Sequence, residues 1–175
     1  MNGIIFLDID GVLNCQMHYS SPQFKDYLTK EDKASKDEHY LSQISKERVE
    51  WLNELCLEMD LSVVISSTWR MGHSVERLQR ILNLAGATFT VLDKTGFDKD
   101  RFRGNEIHTW IKENSMKYFG QPYHIFRRYV ILDDDSDMLY WQRENLFLCD
   151  SYAGLTPNTC YRIKNFFKSF EPILL

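Results

Sequence analysis

Hydrophobic residues along the chain follow two alternating patterns, short continuous runs and longer segments with helical spacing. Five runs are short, apolar and partly β-branched, which favours buried strands over helices. An unbroken apolar run is typical of a strand covered on both faces, so these strands are expected to lie between layers of helices. The predicted strands are Gly3–Asp8, Leu61–Ser66, Thr88–Leu92, Tyr129–Asp133 and Asn145–Asp150.

Four other segments space their apolar residues so that these share one face of a helix. The first helix is predicted over Lys46–Met59. The second is predicted over Val75–Ala85 and should end at Gly86, because glycine favours the left-handed conformation of a C-cap. The third is marked by Ile107–Tyr118, and the fourth is predicted from Thr156 to about Phe170, since Pro157 suits a first helical position.

Strands that alternate with helices predict right-handed crossovers and a parallel sheet with helices on both faces. The expected fold class is therefore α/β, a three-layer doubly wound (Rossmann-like) sheet in a single domain of residues 1–175. Residues 15–43 break the pattern because they are polar and charged, and we predict a loop or small irregular insertion there. Ligands in such folds bind outside the carboxyl ends of the strands.

The composition, 43% hydrophobic and 26% charged residues, is typical of a soluble globular protein. No apolar stretch reaches the ~20 residues of a membrane span, and no basic segment precedes the first apolar run, so we expect a cytoplasmic protein without membrane contact. The net charge of −4 argues against a generally basic surface for nucleic acid. The four cysteines lack the close Cys or His neighbours of a zinc site and are expected to be reduced, mostly buried thiols.

The first predicted strand ends in the stretch DIDG, two carboxylates followed by a glycine. Side chains alternate along a strand, so Asp8 and Asp10 should project to one side while Ile9 points into the protein. Gly11 allows a sharp turn that brings backbone close to whatever the carboxylates hold. Aspartate and glycine are also ordinary turn residues, so this stretch alone is equally typical of a surface turn.

A second acidic group follows the fourth predicted strand and favours a metal site. Asp133, Asp134 and Asp137 would meet Asp8 and Asp10 at one edge of the sheet if the two strands are adjacent. Converging carboxylate oxygens form a site for a hard cation, and Mg²⁺ fits because it takes a few carboxylates together with water and phosphate.

Polar residues also follow the second predicted strand. The hydroxyls of Ser66, Ser67 and Thr68 are suited to binding a phosphate oxygen, or to capping the next helix. Trp69 is expected to be a core or groove aromatic, with a base-stacking platform as the alternative. Arg70 is either a contact for a substrate phosphate or a charge at a helix start.

These stretches resemble, in the expected order, the motifs of the haloacid-dehalogenase-like (HAD-like) phosphohydrolases. DIDGV resembles the family's first motif, VVIS its second, and the apolar strand followed by DDDSD its fourth. FLDIDGVLN, ISSTWR, RGNEIHTWI and VILDDDSDM are most similar to the small phosphatase-like domain of Swiss-army-knife RNA repair proteins, which also occurs as stand-alone bacterial or phage proteins. The resemblance implies a HAD-like core with little or no cap domain and the activity of a phosphatase.

The same resemblance assigns roles to the acidic residues. Asp8 would be the nucleophile that forms an aspartyl-phosphate, and Asp10 would protonate the leaving oxygen and then activate water. A Mg²⁺ cofactor would be held by Asp8, by the backbone carbonyl of Asp10 and by an acidic residue of the fourth motif. Asp134 is the first candidate for that ligand, Asp133 would orient or replace it, and Asp137 is a further candidate.

The resemblance also implies residues that bind the transferred phosphoryl group. Ser66 matches the family's hydroxyl, and Ser67 and Thr68 are nearby substitutes. The family's third motif is a basic residue, and Arg103 is our choice because a guanidinium suits bidentate phosphate contact. Three other basic residues remain open for this role, namely Lys99, Arg101 and Lys112.

The implied function is Mg²⁺-dependent hydrolysis of phosphomonoesters. An open cleft suits a phosphorylated small molecule or a nucleic-acid terminus, and the family's association with RNA repair favours nucleotide or polynucleotide ends. The alternative is a receiver-like phospho-acceptor module for signalling or binding, which also combines acids, magnesium and an aspartyl-phosphate. A receiver places its acceptor on a later strand than its paired acids, whereas DIDG carries the expected nucleophile and proton donor two residues apart.

Overall fold

The computed structural model describes residues 1–22, 24–25, 36–124 and 126–170. Five strands form one sheet in which every pairing is parallel. The strands are β1 (Gly3–Leu7), β2 (Leu61–Ile65), β3 (Val91–Lys94), β4 (Tyr129–Asp133) and β5 (Leu146–Leu148). Their order across the sheet is β3-β2-β1-β4-β5, so β1 lies at the centre.

The helices around the sheet are α1 (Gln16–Tyr19), α2 (Lys36–Gln43), α3 (Lys46–Met59), α4 (Val75–Leu84), α5 (Arg103–Phe119) and α6 (Pro157–Lys168). Two 3₁₀ segments are described, Thr68–Arg70 after β2 and Tyr140–Asn145 before β5. No helix in the described ranges is both long enough and apolar enough to cross a bilayer.

Local signals in the sequence account for several helix ends. The Ser74 hydroxyl accepts a hydrogen bond from the Arg77 amide and caps the start of α4. Thr156 caps α6 in the same way, and Pro157 occupies its first position. Gly86 has φ +100° just beyond α4, which confirms the predicted end of that helix.

The alternation of side chains along the strands divides the core between the two faces of the sheet. Ile5 and Leu7 of β1 pack in one cluster with apolar residues of α3, α4 and α6. Ile4 and Phe6 pack on the other face with apolar residues of α5, where Phe6 meets the Trp110 ring edge-on at 5.4 Å. Each such side chain, buried completely, contributes about 1.5 to 3 kcal/mol to folding. The predicted three-layer doubly wound fold is confirmed.

The prediction for the third strand is wrong in its position. It was expected over Thr88–Leu92, whereas β3 covers Val91–Lys94. The Thr88 amide donates to the Asn53 side chain and the Phe89 carbonyl accepts from the Gln79 side chain, whereas the Thr90 carbonyl accepts a hydrogen bond from the Val63 amide of β2. The first two residues of the predicted strand are therefore bonded to helix side chains, and contact with the sheet begins at Thr90. The polar residues Asp93 and Lys94 join the strand because they pair with β2 near its carboxyl end.

The prediction of a loop or irregular segment at residues 15–43 is wrong for the parts that the structure describes there. α1 and α2 lie at its two ends, and residue 23 and residues 26–35 are outside the described residues. Tyr40 and Leu41 of α2 pack against the larger core cluster, and Ile44 is almost completely buried. Burial of these apolar side chains stabilises a helix that the polar composition of the segment did not suggest.

The four cysteines are free and buried, as predicted. Burial raises the pKa of the Cys56 and Cys149 thiols to about 12. These side chains are therefore protonated, inert components of the core.

The register of the sheet sets the position of the candidate site. Leu7 pairs with Ile65 on one side and with Leu132 on the other, so these residues lie side by side on the three central strands. The next residues along the same strands are Asp8, Ser66 and Asp133.

Candidate active site

Three carboxylates converge at the carboxyl edge of the central strands. One oxygen each of Asp8, Asp133 and Asp134 lies within 4.8 Å of the others. Asp8 and Asp133 are buried and Asp134 is partly buried. Ligands of doubly wound folds bind at this edge, so the position of the cluster agrees with that general rule.

Burial and mutual repulsion disfavour negative charge in this cluster. Burial, followed by the neighbouring Asp8 carboxylate, raises the pKa of Asp133 to about 7. Burial also raises the pKa of Asp8 from its usual range, and the Arg103 guanidinium opposes part of that rise. The pKa of Asp134 is raised by burial and by Asp8. A cation bound among these carboxylates would favour their ionised forms.

Arg103, at the start of α5, supplies a positive charge to two of these acids. Its Nη2 lies 3.7 Å from Oδ2 of Asp8, and its Nε lies 3.6 Å from Oδ2 of Asp133. The alternation of β1 and β4 directs Asp8 and Asp133 to the face that α5 covers. Asp137 accepts a hydrogen bond of 3.1 Å from the Arg103 amide and so holds the beginning of α5. Asp137 lies outside the carboxylate cluster.

The contacts of the Arg103 guanidinium with Asp8 and Asp133 are too long for good hydrogen bonds. Its Nη1 and the Oδ2 of Asp133 are both buried without a hydrogen-bond partner among the described residues. Such unmet groups cost about 1 to 3 kcal/mol each, so the site gains stability from any ligand that pairs with them. The other basic candidates from the sequence, Lys99, Arg101 and Lys112, are exposed.

The two serines after β2 differ in their surroundings. The Ser67 hydroxyl hydrogen-bonds the Asp8 carboxyl and accepts the Trp69 amide at 3.3 Å. The Ser66 hydroxyl is completely buried and has no partner within the described ranges. The hydroxyl in contact with Asp8 is therefore that of Ser67, the residue that the sequence analysis ranked second.

Asp10 lies beside the cluster but is exposed, and its carboxylate accepts hydrogen bonds from neutral donors. Nδ2 of Asn14 lies 2.7 Å from Oδ1, and Nε1 of Trp69 lies 3.1 Å from Oδ1 and 3.2 Å from Oδ2. The Thr68 hydroxyl is 3.4 Å from Oδ2. Neither the role of Asn14 nor the polar contact of Trp69 is predicted from the sequence. For Asn14 a signal existed, since an asparagine four residues after Asp10 is within reach across a turn.

Glycine is required at position 11. Gly11 has φ +70°, and a Cβ built there would overlap the Asp134 carboxyl group. The amide of Gly11 donates to the Asn14 side chain at 2.9 Å. The turn after Asp10 thus allows the close approach of Asp134, which any side chain at this position would prevent.

One of the two interpretations of Arg70, a simple charge at a helix start, is wrong. Arg70 is buried, donates to the carbonyls of Ser66 and Ser67 at 2.6 and 2.7 Å, and forms a 2.5 Å ion pair with Glu106 of α5. It is therefore a brace between the turn after β2 and α5, and its contact with a substrate phosphate stays a prediction. Removing one partner of such a buried pair costs about 3 to 5 kcal/mol.

An open cleft of about 410 Å³ adjoins Asp10 and Asp134. Tyr19 of α1 and Tyr152 form part of its wall. The loop that carries Tyr152 is tied down by the buried Arg48, whose Nε and Nη2 lie 2.9 and 2.5 Å from the Ala153 carbonyl oxygen. A group bound at the carboxylate cluster can therefore extend into a preformed space beside Asp10.

The donor set fits a hard divalent cation. Oxygen ligands from a few carboxylates, with positions left for water or phosphate, are what Mg²⁺ prefers. Asp8, Asp133 and Asp134 offer such oxygens, and Oδ2 of Asp133 lacks a hydrogen bond within the described residues. A bound cation would oppose the rise in the pKa values of these carboxyls, because it favours the ionised forms that burial and mutual repulsion disfavour.

A model of the family described as the HAD domain in Swiss Army Knife RNA repair proteins matches residues 4–160. The matched range contains four of the five strands, all of β1 except Gly3, and both acidic stretches. No curated protein and no solved structure shows significant similarity to the chain. The parallel sheet flanked by helices is consistent with a HAD-like core. Since the family model covers most of its length, the chain belongs to the family of HAD domains found in Swiss Army Knife RNA repair proteins.

Proposed function

We propose that the chain is a Mg²⁺-dependent phosphatase that hydrolyses phosphomonoesters through a phosphorylated Asp8. Its family indicates a phosphatase-type hydrolase in general. The observation that carries the more specific proposal is the convergence of Asp8, Asp133 and Asp134 within 4.8 Å, with the Arg103 guanidinium beside two of them.

In the first step a carboxylate oxygen of Asp8 attacks phosphorus, and the bond from phosphorus to the leaving oxygen breaks. Asp10 gives its proton to that oxygen, so the leaving group departs as an alcohol. Water then attacks the aspartyl-phosphate and passes a proton to Asp10, which releases inorganic phosphate and restores both residues. The exposed position of Asp10, next to the open cleft, supports its contact with a leaving group.

The residues that would hold Mg²⁺ are Asp8 through its carboxylate, Asp10 through its backbone carbonyl, and Asp134. Asp133 would orient these groups or replace Asp134 as a ligand. When bound, the ion offsets the negative charge of the phosphate and of the carboxylate that approaches it.

Arg103 and Ser67 are proposed to bind the transferred phosphoryl group. The unpaired Nη1 of Arg103 supports this role, since it is a buried donor without a partner among the described residues. Ser67 already contacts the Asp8 carboxyl. The role of Ser66 as the phosphate-binding hydroxyl stays a prediction.

The proposed substrate is a phosphorylated small molecule or a nucleic-acid terminus. The name of the family, which refers to RNA repair, supports a nucleotide or polynucleotide end. The cleft beside Asp10 is open to solvent, which suits a leaving group larger than the phosphate itself.

Release of inorganic phosphate from a panel of substrates tests this function. The panel contains nucleotides, phosphorylated oligonucleotides, sugar phosphates, phosphopeptides and p-nitrophenyl phosphate, each with Mg²⁺ and with EDTA. We expect Mg²⁺-dependent turnover that Asp8→Asn abolishes. No turnover of any compound would overturn the proposal, and an acyl phosphate that persists instead of turning over would favour the receiver-like alternative.

A further inference from the structure

The indole of Trp69 forms the main contact between the turn after β2 and the Asp10 carboxylate. Its Nε1 lies 3.1 and 3.2 Å from the two carboxylate oxygens. Asn14 and Thr68 complete the set of donors to Asp10, and all three donors are uncharged. Hydrogen bonds are directional, so these donors set the direction of the Asp10 carboxylate.

The backbone of Trp69 is held from several sides. Its amide donates to the Ser67 hydroxyl at 3.3 Å, and its carbonyl is 2.8 Å from Nδ1 of His73. Nζ of Lys94 donates to the carbonyls of Arg70 and His73 at 3.1 and 2.5 Å. The 3₁₀ turn that carries Trp69 is therefore bonded to Lys94 of β3 and to Ser67, which lies between the turn and β2, and these bonds limit its freedom to move.

The ring of Trp69 is supported as well. Tyr40 of α2 meets it edge-on with ring centroids 5.3 Å apart, and the same tyrosine packs at 90° against His73. Trp69 also packs against the larger core cluster. These contacts restrict rotation of the Trp69 side chain, and its indole N–H points towards the Asp10 carboxylate.

We infer that Trp69 is a positioning residue that aims the Asp10 carboxyl at the leaving oxygen of the substrate. This inference rests on the proposed phosphatase function. A proton donor acts only within hydrogen-bond distance of its target and in the right orientation, and a contact to both oxygens restricts the rotation of the carboxyl group. When Asp10 carries its proton on one oxygen, the other oxygen still accepts the indole N–H.

A misaligned Asp10 carboxyl should affect good and poor leaving groups differently, which a general loss of structure would not do. An alkyl phosphate expels an alkoxide, a poor leaving group that requires a proton, whereas p-nitrophenyl phosphate expels a stable phenolate that does not. If the Asp10 carboxyl is no longer held in the right orientation, hydrolysis of alkyl phosphates should slow more than hydrolysis of p-nitrophenyl phosphate. The quantity to compare is kcat/KM, because it includes the step in which the leaving group departs and excludes the later hydrolysis of the aspartyl-phosphate.

The test compares Trp69→Phe with the unmodified chain at saturating Mg²⁺. The substrates are p-nitrophenyl phosphate and the alkyl phosphate that the unmodified chain hydrolyses fastest. We expect kcat/KM for the alkyl phosphate to fall about 10-fold to 100-fold, and that for p-nitrophenyl phosphate to fall less than about 3-fold. Trp141→Phe is the matched control, since Trp141 is exposed on the 3₁₀ segment before β5, and both values should stay unchanged.

A second replacement separates the hydrogen bond from the packing of the ring. β-(3-Benzothienyl)alanine in place of Trp69 keeps the bicyclic shape and exchanges the indole N–H for sulfur. It should reproduce the selective loss while the thermal unfolding temperature stays near that of the unmodified chain. Full activity of this variant on the alkyl phosphate would overturn the inference, even if Trp69→Phe proved to be unfolded.

A double variant shows whether Trp69 acts through Asp10. With Asp10→Asn already present, Trp69→Phe should cause no further selective loss on the alkyl phosphate. A loss of equal size on both substrates would overturn the inference while leaving the phosphatase proposal intact. An unmodified chain that hydrolyses only p-nitrophenyl phosphate would also overturn the inference, and a chain inactive on every substrate would overturn the phosphatase proposal with it.

Discussion

The acids at the carboxyl edge of the sheet form a buried group, Asp8 and Asp133, and an exposed group, Asp10, and the surroundings of the two groups differ. Asp8 and Asp133 are buried and lie near another acid and a guanidinium, and one of their oxygens, Oδ2 of Asp133, has no hydrogen bond among the described residues. Asp10 is exposed and surrounded by neutral donors that already contact both of its oxygens. The first group is suited to a charged ligand, whereas the second is suited to a proton carried in a set direction. Burial and donor charge thus give different surroundings to Asp8 and Asp10, two carboxyls that are two residues apart, and the proposed function assigns them different tasks.

Of the variants considered, Asp8→Asn should cause the largest loss of phosphatase activity. It removes the proposed nucleophile while keeping the size of the side chain, so we expect phosphatase activity to fall about 10⁴-fold or more. The thermal unfolding temperature should not fall, because one buried carboxylate of a repelling set is replaced by a neutral amide. Substantial Mg²⁺-dependent activity in this variant would refute the role of Asp8.

Asp10→Asn should affect turnover without affecting the metal. We expect kcat/KM for an alkyl phosphate to fall about 10²-fold to 10⁴-fold, because general acid catalysis is lost. The increase in unfolding temperature on addition of Mg²⁺ should stay as in the unmodified chain, because only the backbone carbonyl of Asp10 is proposed to bind the ion. If Asp10→Asn lost the Mg²⁺-dependent increase in unfolding temperature but kept turnover, Asp10 would be a metal ligand and not the proton donor.

Arg103→Ala should weaken the binding of the phosphate. We expect KM to rise and kcat/KM to fall about 10²-fold, since a donor aimed at developing charge is removed. Lys99→Ala is the control, because Lys99 is exposed and was an alternative from the sequence for the same role. Equal kinetics in the two variants would transfer the role to another basic residue.

The smallest expected effect is a change of stability with pH. The pKa of Asp133 is raised from 3.8 to about 7, so between these values the folded metal-free chain holds a proton that the unfolded chain has released. The free energy of unfolding should therefore decrease as pH rises from about 4 to about 7 and then level off, as far as this group is concerned.

Mg²⁺ should counteract that decrease, because it takes the place of the proton. At a concentration about 100 times its Kd, the ion should add about 3 kcal/mol to the free energy of unfolding. The gain should be larger near pH 8 than near pH 5, as measured by denaturant unfolding with and without Mg²⁺. Asp134→Asn should reduce it, and a gain that does not depend on pH would argue against binding at these carboxylates.

Much of the fold follows from patterns that a sequence displays directly. The apolar runs of β1 and β4 are unbroken and that of β2 is interrupted only by Ser62, so the position and burial of these strands are predictable. β3 was misplaced because it lies at the edge of the sheet and contains Asp93 and Lys94, whose polarity hides the strand. The sequence does not show which strand lies at the edge of the sheet, and this is why β3 is harder to predict than β1, β2 and β4.

The part of the candidate site that lies at the ends of strands is predictable from the sequence. Asp8 and Asp133 meet because both follow the last apolar residue of neighbouring strands. The contact between Trp69 and Asp10 joins residues 59 positions apart and requires a 3₁₀ turn in one particular orientation. Arg70 was misinterpreted because its burial and its partner Glu106 become apparent only once α5 packs against the turn.

The central place of β1 also bears on how long the site keeps its shape. The amide of Asp8 donates to the Leu132 carbonyl at 2.9 Å, so the chain is still joined to β4 at the residue proposed as nucleophile. Central strands open only in the rarest fluctuations of a domain, while edges and termini open often. In deuterated water the Asp8 amide should accordingly be among the last to exchange, and the spacing between the proposed nucleophile and its neighbours should persist through most local unfolding events.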